Sequence, residues 1–236
     1  MTEEEALTLV SLNGILLENL TDFQNNRKVV LNAVDKNWRA LEFASESLKN
    51  DIAIALRAIK ISDEAWLLIG DDLKNNKEFA SKVASIDGMS LGFMNDDFKN
   101  DEDIVIEAVL NCGDSLMSAS SRLRDKEKIV RAAVNNDSRS LRYASERLQN
   151  DETFLDLLKY DEFIKKLQKI AKDTYEVEKW EDHNEMLFSD SLTDKWHCAV
   201  DEFIENNKGY ESEVERNTLE EEAWYIITAE CDNYID

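Results

Sequence analysis

Two helical patterns of apolar positions alternate along this chain. Val29, Val30, Ala33 and Val34 stand at i, i+1, i+4 and i+5, one face of a helix. Leu41, Ala44, Ser45 and Leu48 stand at i, i+3, i+4 and i+7, one face of a second helix. The pair of patterns returns every 25 residues, in blocks that begin at 1, 26, 51, 76, 101 and 126 and align without a gap. One core position then reads Leu16, Leu41, Trp66, Leu91, Leu116 and Leu141; a second reads Leu9, Val34, Ile59, Ala84, Val109 and Val134. A third reads Phe23, Leu48, Leu73, Phe98, Leu123 and Leu148. The phrase "LEFASESLKND" at 41–51 accordingly comes back as "LRYASERLQND" at 141–151.

Punctuation between the patterns fits the same reading. Asn13-Gly14, Asp87-Gly88 and Cys112-Gly113 separate the two helices of a block, and Asn50-Asp51, Asn75-Asn76 and Asn100-Asp101 separate blocks. Asn and Asp suit a helix N-cap, where the side-chain oxygen accepts an unpaired backbone N–H. Ala33, Ala44, Ala58, Ala108, Ala119, Ala133 and Ala144 let helices approach closely. One helix pair buries too little to stand alone, and stacking successive pairs supplies the missing core. The prediction is an all-α fold, an α-solenoid of 25-residue two-helix repeats. The motifs "IV..AV" at 104–109 and 129–134, and "L..AS..L" at 41–48 and 141–148, resemble the domain of unknown function 4116 family. The resemblance covers about residues 26–155, more weakly in the third and fourth blocks, as in the first. It implies a fold and supplies no catalytic residue.

The periodicity fades after Phe154 and Leu155, which gives a repeat array over 1–159 and a non-repeat helical unit over 160–236. Leu192, Trp196, Ala199, Val200, Phe203 and Ile204 make one stripe of that unit. Leu219, Ala223, Ile226, Ile227 and Tyr234 make another, opened by a capping box at Thr218 and Glu221. Such a unit can cover the last apolar face of an array.

Composition agrees with helices, since the chain has no proline and six glycines. Charge adds more. The net charge is −23, of which residues 151–236 carry −16 and residues 1–150 carry −7. Phosphate backbones and anionic membranes would repel such a chain, so its predicted partner is a basic protein rather than nucleic acid or membrane. Glu220, Glu221 and Glu222 beside Trp224 and Tyr225, with Asp232 further on, resemble interface chemistry and are the first candidate binding set. Equivalent block positions carry Glu46, Asp71, Asp96 and Glu146, a second set in the form of a partial acidic ladder. Against it, residues 122–147 hold Arg122, Arg124, Lys126, Lys128, Arg131, Arg139, Arg142 and Arg147, a basic surface open to the acidic unit or to a second copy.

Catalytic and metal chemistry find little footing. No glycine-rich phosphate loop occurs, and the two histidines, His183 and His197, lack nucleophile spacing. Adjacent His197 and Cys198 would point about 100° apart on a helix. The stretch "NDDFKNDEDIVIE" lacks the glycine of a calcium loop. No cofactor is expected. An acidic N-terminus unlike a signal peptide, three scattered cysteines and no long apolar run point to the cytoplasm. The sequence therefore reads as a non-enzymatic acidic protein that occludes a basic, nucleic-acid-binding protein surface such as a nuclease, in the manner of a phage anti-defence or toxin-immunity inhibitor. The alternative is a scaffold that binds a peptide or itself.

Overall fold

The structure, a computed structural model, describes residues 1–177, 190–207, 216, 218–223 and 225–226. Every regular element among them is helical. Two compact units divide at Asn150/Asp151. The sequence puts the change at about 160; the packing puts it earlier, because Glu152–Val177 is one helix that begins at the seventh block boundary and does not stop.

Each repeat of the first unit opens with an α-helix: Glu3–Leu12, Arg27–Lys36, Ile52–Ile59, Lys77–Ile86, Glu102–Asn111 and Glu127–Asn136. The predicted caps hold them. Asn26 accepts from the N–H groups of Lys28 and Val29, and Asp51 from those of Ala53 and Ile54. In the fourth repeat Asn76 accepts from the Phe79 N–H, and in the fifth Asp101 accepts from those of Asp103 and Ile104. Val29, Val30, Ala33 and Val34 are all buried, as the first pattern requires.

In repeats two to six the second helix is not one helix. It is a 3-10 helix followed by a single α-turn, as in Trp38–Phe43 and Glu46–Lys49. Ala44 and Ser45 between them are extended, with ψ of 154° and 153°. An apolar spacing of three fits a 3-10 helix with three residues per turn as well as it fits an α-helix, so the pattern alone reads as continuous. The break turns Leu48 inward beside Leu41 and Ala44, and all three are buried. It also aims the Ser45 N–H at the previous repeat.

The first repeat corrects the ungapped alignment. Its cap and helix lie 24 residues before those of the second, so that Val10 and Leu17 are buried in place of the expected Leu9 and Leu16. Its last turn is a three-residue 3-10 helix, Thr21–Phe23, one residue shorter than its counterparts. Glu5 occupies the place where the next helix buries Val29, and it closes a capping box with Thr2 instead.

Buried side chains of Leu, Ile and Val contribute about 1.5–3 kcal/mol each. Ala40, Ala65, Ser90, Ser115 and Ser140, one in each of repeats two to six, are fully buried where the 3-10 helices meet. At Gly14, Gly88 and Gly113 a Cβ would fall 2.1, 2.3 and 2.5 Å from the carbonyl oxygen of Ala33, Ala108 and Ala133 in the following helix. Glycine is therefore needed there for close approach.

In the second unit, Phe163 and Leu167 of Glu152–Val177 pack on Trp196, Ala199, Val200 and Phe203 of Asp190–Asn206, with Leu219 and Ala223. Phe163 and Phe203 stack with ring centroids 4.4 Å apart. Thr218 is itself helical, as is Arg216 before it, so Thr218 is not the cap the sequence suggests. Ile227 and Tyr234, and the side chain of Leu192, lie outside the described residues.

Candidate interaction surfaces

Opposite charges of the array pair repeatedly between successive repeats. Arg27 donates to Asp51 at 2.8 Å, Arg39 to Glu64 at 3.0 Å and Lys77 to Asp101 at 2.7 Å; Arg57 pairs with Asp35 and Lys126 with Glu102. The last residue of a block receives the next repeat. Ser45 and Ser47 donate to Asn25 Oδ1 at 2.7 and 3.0 Å, and Ser120 to Asn100 Oδ1 at 2.7 Å. Arg122 reaches the side chain and carbonyl of Asn100, and Arg147 those of Asp125. Backbone bonds repeat the stitch: Ser45 N–H to Gln24, Gly70 to Lys49, Ser120 to Lys99 and Ser145 to Arg124. Asn111 and Asn136 add another, each accepting from the preceding repeat's glycine and donating to carbonyls at the end of its helix. Exposed ion pairs of this kind are worth about 0–1 kcal/mol each, so apolar burial drives the stacking and the polar stitches fix its register.

Inter-repeat contacts of this kind take half of the eight cations in the basic segment. Arg122, Lys126 and Arg147 join repeats, Arg139 pairs with Asp137 at 2.7 Å, and Arg142 lies over the Tyr143 ring within reach of Asp114. The acids respond. The hydrogen bond from the Arg139 side chain, with that from its backbone N–H, lowers Asp137 to about 2. Arg27 lowers Asp51, and Ser145 and then Arg147 lower Asp125. A carboxylate depressed in the folded state contributes stability above its unfolded value of about 3.9 that is lost as pH falls through the folded value. Thermal midpoints should accordingly hold from neutrality to about pH 4 and decline between about pH 4 and 2. In Asp137→Asn that acid decline should be shallower; an unchanged profile would remove Asp137 from the account.

Glu46, Asp71, Asp96 and Glu146 are all exposed at the first position of a single-turn helix. Acids there complement the helix dipole. Glu46 pairs with Lys49 at 2.9 Å and Asp71 with Lys74 at 3.8 Å, within their own turns. The ladder exists as a series of equivalent surface positions, and its local role is helix-end stabilisation.

The structure separates the acidic triplet of the second unit. Glu220 is half-buried and accepts from Arg216 at 3.1 Å, while Glu222 accepts from the Tyr160 hydroxyl at 2.9 Å. Glu221 is exposed, and Tyr225 is 74% exposed. Tyr160, Glu221, Glu222, Tyr225 and Ile226 line an open depression of about 380 Å³. Tyr160, whose ring meets Phe163 and Phe203 at 6.3 and 6.2 Å, is the member the sequence does not announce. It lies 62 residues from Glu222. Trp224 and Asp232 of the predicted set lie outside the described residues. Among the described residues no group of three or more His, Cys, Asp or Glu is arranged to hold a metal, and no helix is long and apolar enough to cross a membrane.

No curated protein and no solved structure matches the chain. A family model matches three times, over residues 2–49, 26–74 and 76–124, each match spanning two successive repeats. The first two start 24 residues apart, the same offset that the first helix shows. The matches include the first, third and fourth repeats, where the motif is weakest to the eye, and together they take in more than half of the chain. The chain belongs to the family described as "Domain of unknown function (DUF4116)".

Proposed function

We propose that this chain is a non-enzymatic binding protein that engages a basic protein surface through its second unit. One observation carries the reading. Many of the array's cations pair with acids of the neighbouring repeat and its surface mixes both signs, whereas the second unit has a net charge of −16 and offers exposed Glu221 and Tyr225 at an open depression. Aromatic rings next to carboxylates suit Lys and Arg side chains, by cation–π attraction and charge-assisted hydrogen bonding. A partner surface of that chemistry also binds nucleic acid, so occlusion of a nuclease or similar protein is the specific form of the proposal.

The test is capture of partners from host lysate at low salt, followed by binding of the purified partner to the whole chain and to Glu221→Gln/Glu222→Gln. The variant should bind about three- to tenfold more weakly, and nucleic acid should compete with the wild-type chain. Affinity unchanged in about 0.5 M salt would exclude the mechanism, since exposed charge is screened within a few ångströms there.

A second reading, a peptide-binding scaffold, rests on the 3-10 face of the array. Leu67 and Met117 are 55% and 51% exposed at equivalent positions, with Phe43, Leu68, Phe93 and Tyr143 half-buried beside them. That version predicts a salt-resistant partner indifferent to the glutamine substitutions.

A further inference from the structure

The stitches that join the repeats fail at one junction, between the third repeat (51–75) and the fourth (76–100). The four other junctions have a backbone bond from the short-helix cap to the previous repeat; Asn95 makes none to Lys74. No side-chain hydrogen bond or ion pair crosses there either, although all residues from 51 to 100 are described. The sequence explains each loss. Arg27 and Lys77 reach an acid 24 residues on, and Lys126 reaches back to Glu102; the corresponding pair at this junction is Ile52 and Asn76, and Ile52 is 53% exposed. Where Arg57 meets Asp35, the equivalent pair is Lys82 and Lys60, two cations. Where Arg122 and Arg147 grip Asn100 and Asp125, the equivalents are Asp97 and Asn75. Where Asn111 and Asn136 clamp the preceding helix end, the fourth repeat has Ile86.

Packing follows the same line. Helix Ile52–Ile59 is two residues shorter than the others, and it meets Lys77–Ile86 over a smaller interface than any other neighbouring pair in the array. The 3-10 helices Asp63–Leu67 and Gly88–Phe93 remain as closely packed as those of the fourth and fifth repeats, and Trp66 stacks on Phe79 across the junction at 6.1 Å. The family matches pair repeats one with two, two with three and four with five, and break at residue 75.

We infer that the array contains a built hinge: repeats 1–3 and 4–6 are two blocks that rotate about the Trp66–Phe79 contact, opening on the side of the long helices. Small apolar contacts without register locks permit shear and rotation, and block motions of this type occur on the microsecond-to-millisecond scale. The inference does not depend on the proposed partner.

Paired spin labels on the full chain, with its native cysteines replaced by serine, test it. Ala53→Cys/Asp103→Cys spans two repeat steps including the junction; Glu78→Cys/Lys128→Cys spans two steps without it. All four sites are exposed, and each pair lies on the order of 20 Å apart. The distance distribution across the junction should be about twice as broad as the control. Adding Ile52→Arg, Asn76→Asp and Lys60→Asp restores two stitches and should narrow it to the control width. Equal widths in the unstitched chain overturn the hinge. A stitched chain that folds and melts normally yet stays broad overturns the assignment of its cause.

Discussion

Replacing Trp66 with alanine should lower stability by about 3–5 kcal/mol, the usual cost of removing a large buried aromatic. Trp66 is 2% exposed and fills the position that Leu41, Leu91 and Leu116 take in neighbouring repeats. Its loss leaves a cavity and removes the one aromatic stack across a junction that has no polar link. Repeat arrays unfold cooperatively only while neighbouring interfaces are strong enough to couple them. The urea transition of the array, followed by circular dichroism, should therefore separate into two steps. Trp66→Leu, which restores the residue of the other repeats, should recover most of the loss. A single transition displaced by less than about 1 kcal/mol would show that the junction is held elsewhere.

Gly88→Ala and Gly113→Ala should each cost about 1–3 kcal/mol through overpacking. The added methyl of Gly113→Ala would stand 2.5 Å from the Ala133 carbonyl oxygen and 2.6 Å from Ser140 Oγ. Neither can give way cheaply: the carbonyl is part of a helix, and Ser140 is fully buried. The shift would also stretch the bond from the Gly113 N–H to Asn136 Oδ1, now 2.8 Å. Gly70→Ala is the informative control. There the nearest atoms belong to the end of the Asn50 side chain, at 2.1–2.4 Å, a flexible group that can move at the cost of its long bonds from the Leu73 N–H at 3.3 Å and to the Glu46 carbonyl at 3.2 Å. Its melting temperature should stay close to wild type. If Gly70→Ala were as damaging as Gly113→Ala, close approach of helix backbone would not be the reason for glycine at 88 and 113.

The period, the first helix of each repeat and its caps were legible because buried Val and Ala positions and Asn or Asp caps recur with few exceptions. Three things were not. Leu41, Ala44, Ser45 and Leu48 have a spacing that a 3-10 turn and an α-turn share, so the break at Ala44-Ser45 has no signature in apolar pattern. In the first repeat, Leu9-Val10 and Leu16-Leu17 offer an apolar residue in either register, which hides the missing residue. The acidic triplet read as one patch, yet consecutive helical residues point about 100° apart, so Glu220, Glu221 and Glu222 have three different surroundings. Arg216 four residues before Glu220 was the readable sign that one of them is engaged. Tyr160 could not be found, since nothing in a linear pattern joins it to Glu222.

Polar links between repeats connect residues only 20 to 28 apart in the chain. Contact order in such an array therefore stays the same however many repeats are added, and loop closure costs no more for the sixth than for the second. Folding should start where local links are densest, in repeats 4–6, and spread outward. The unlinked junction is then a kinetic boundary: the N-terminal half docks after its neighbour has formed, as a separate and slower phase.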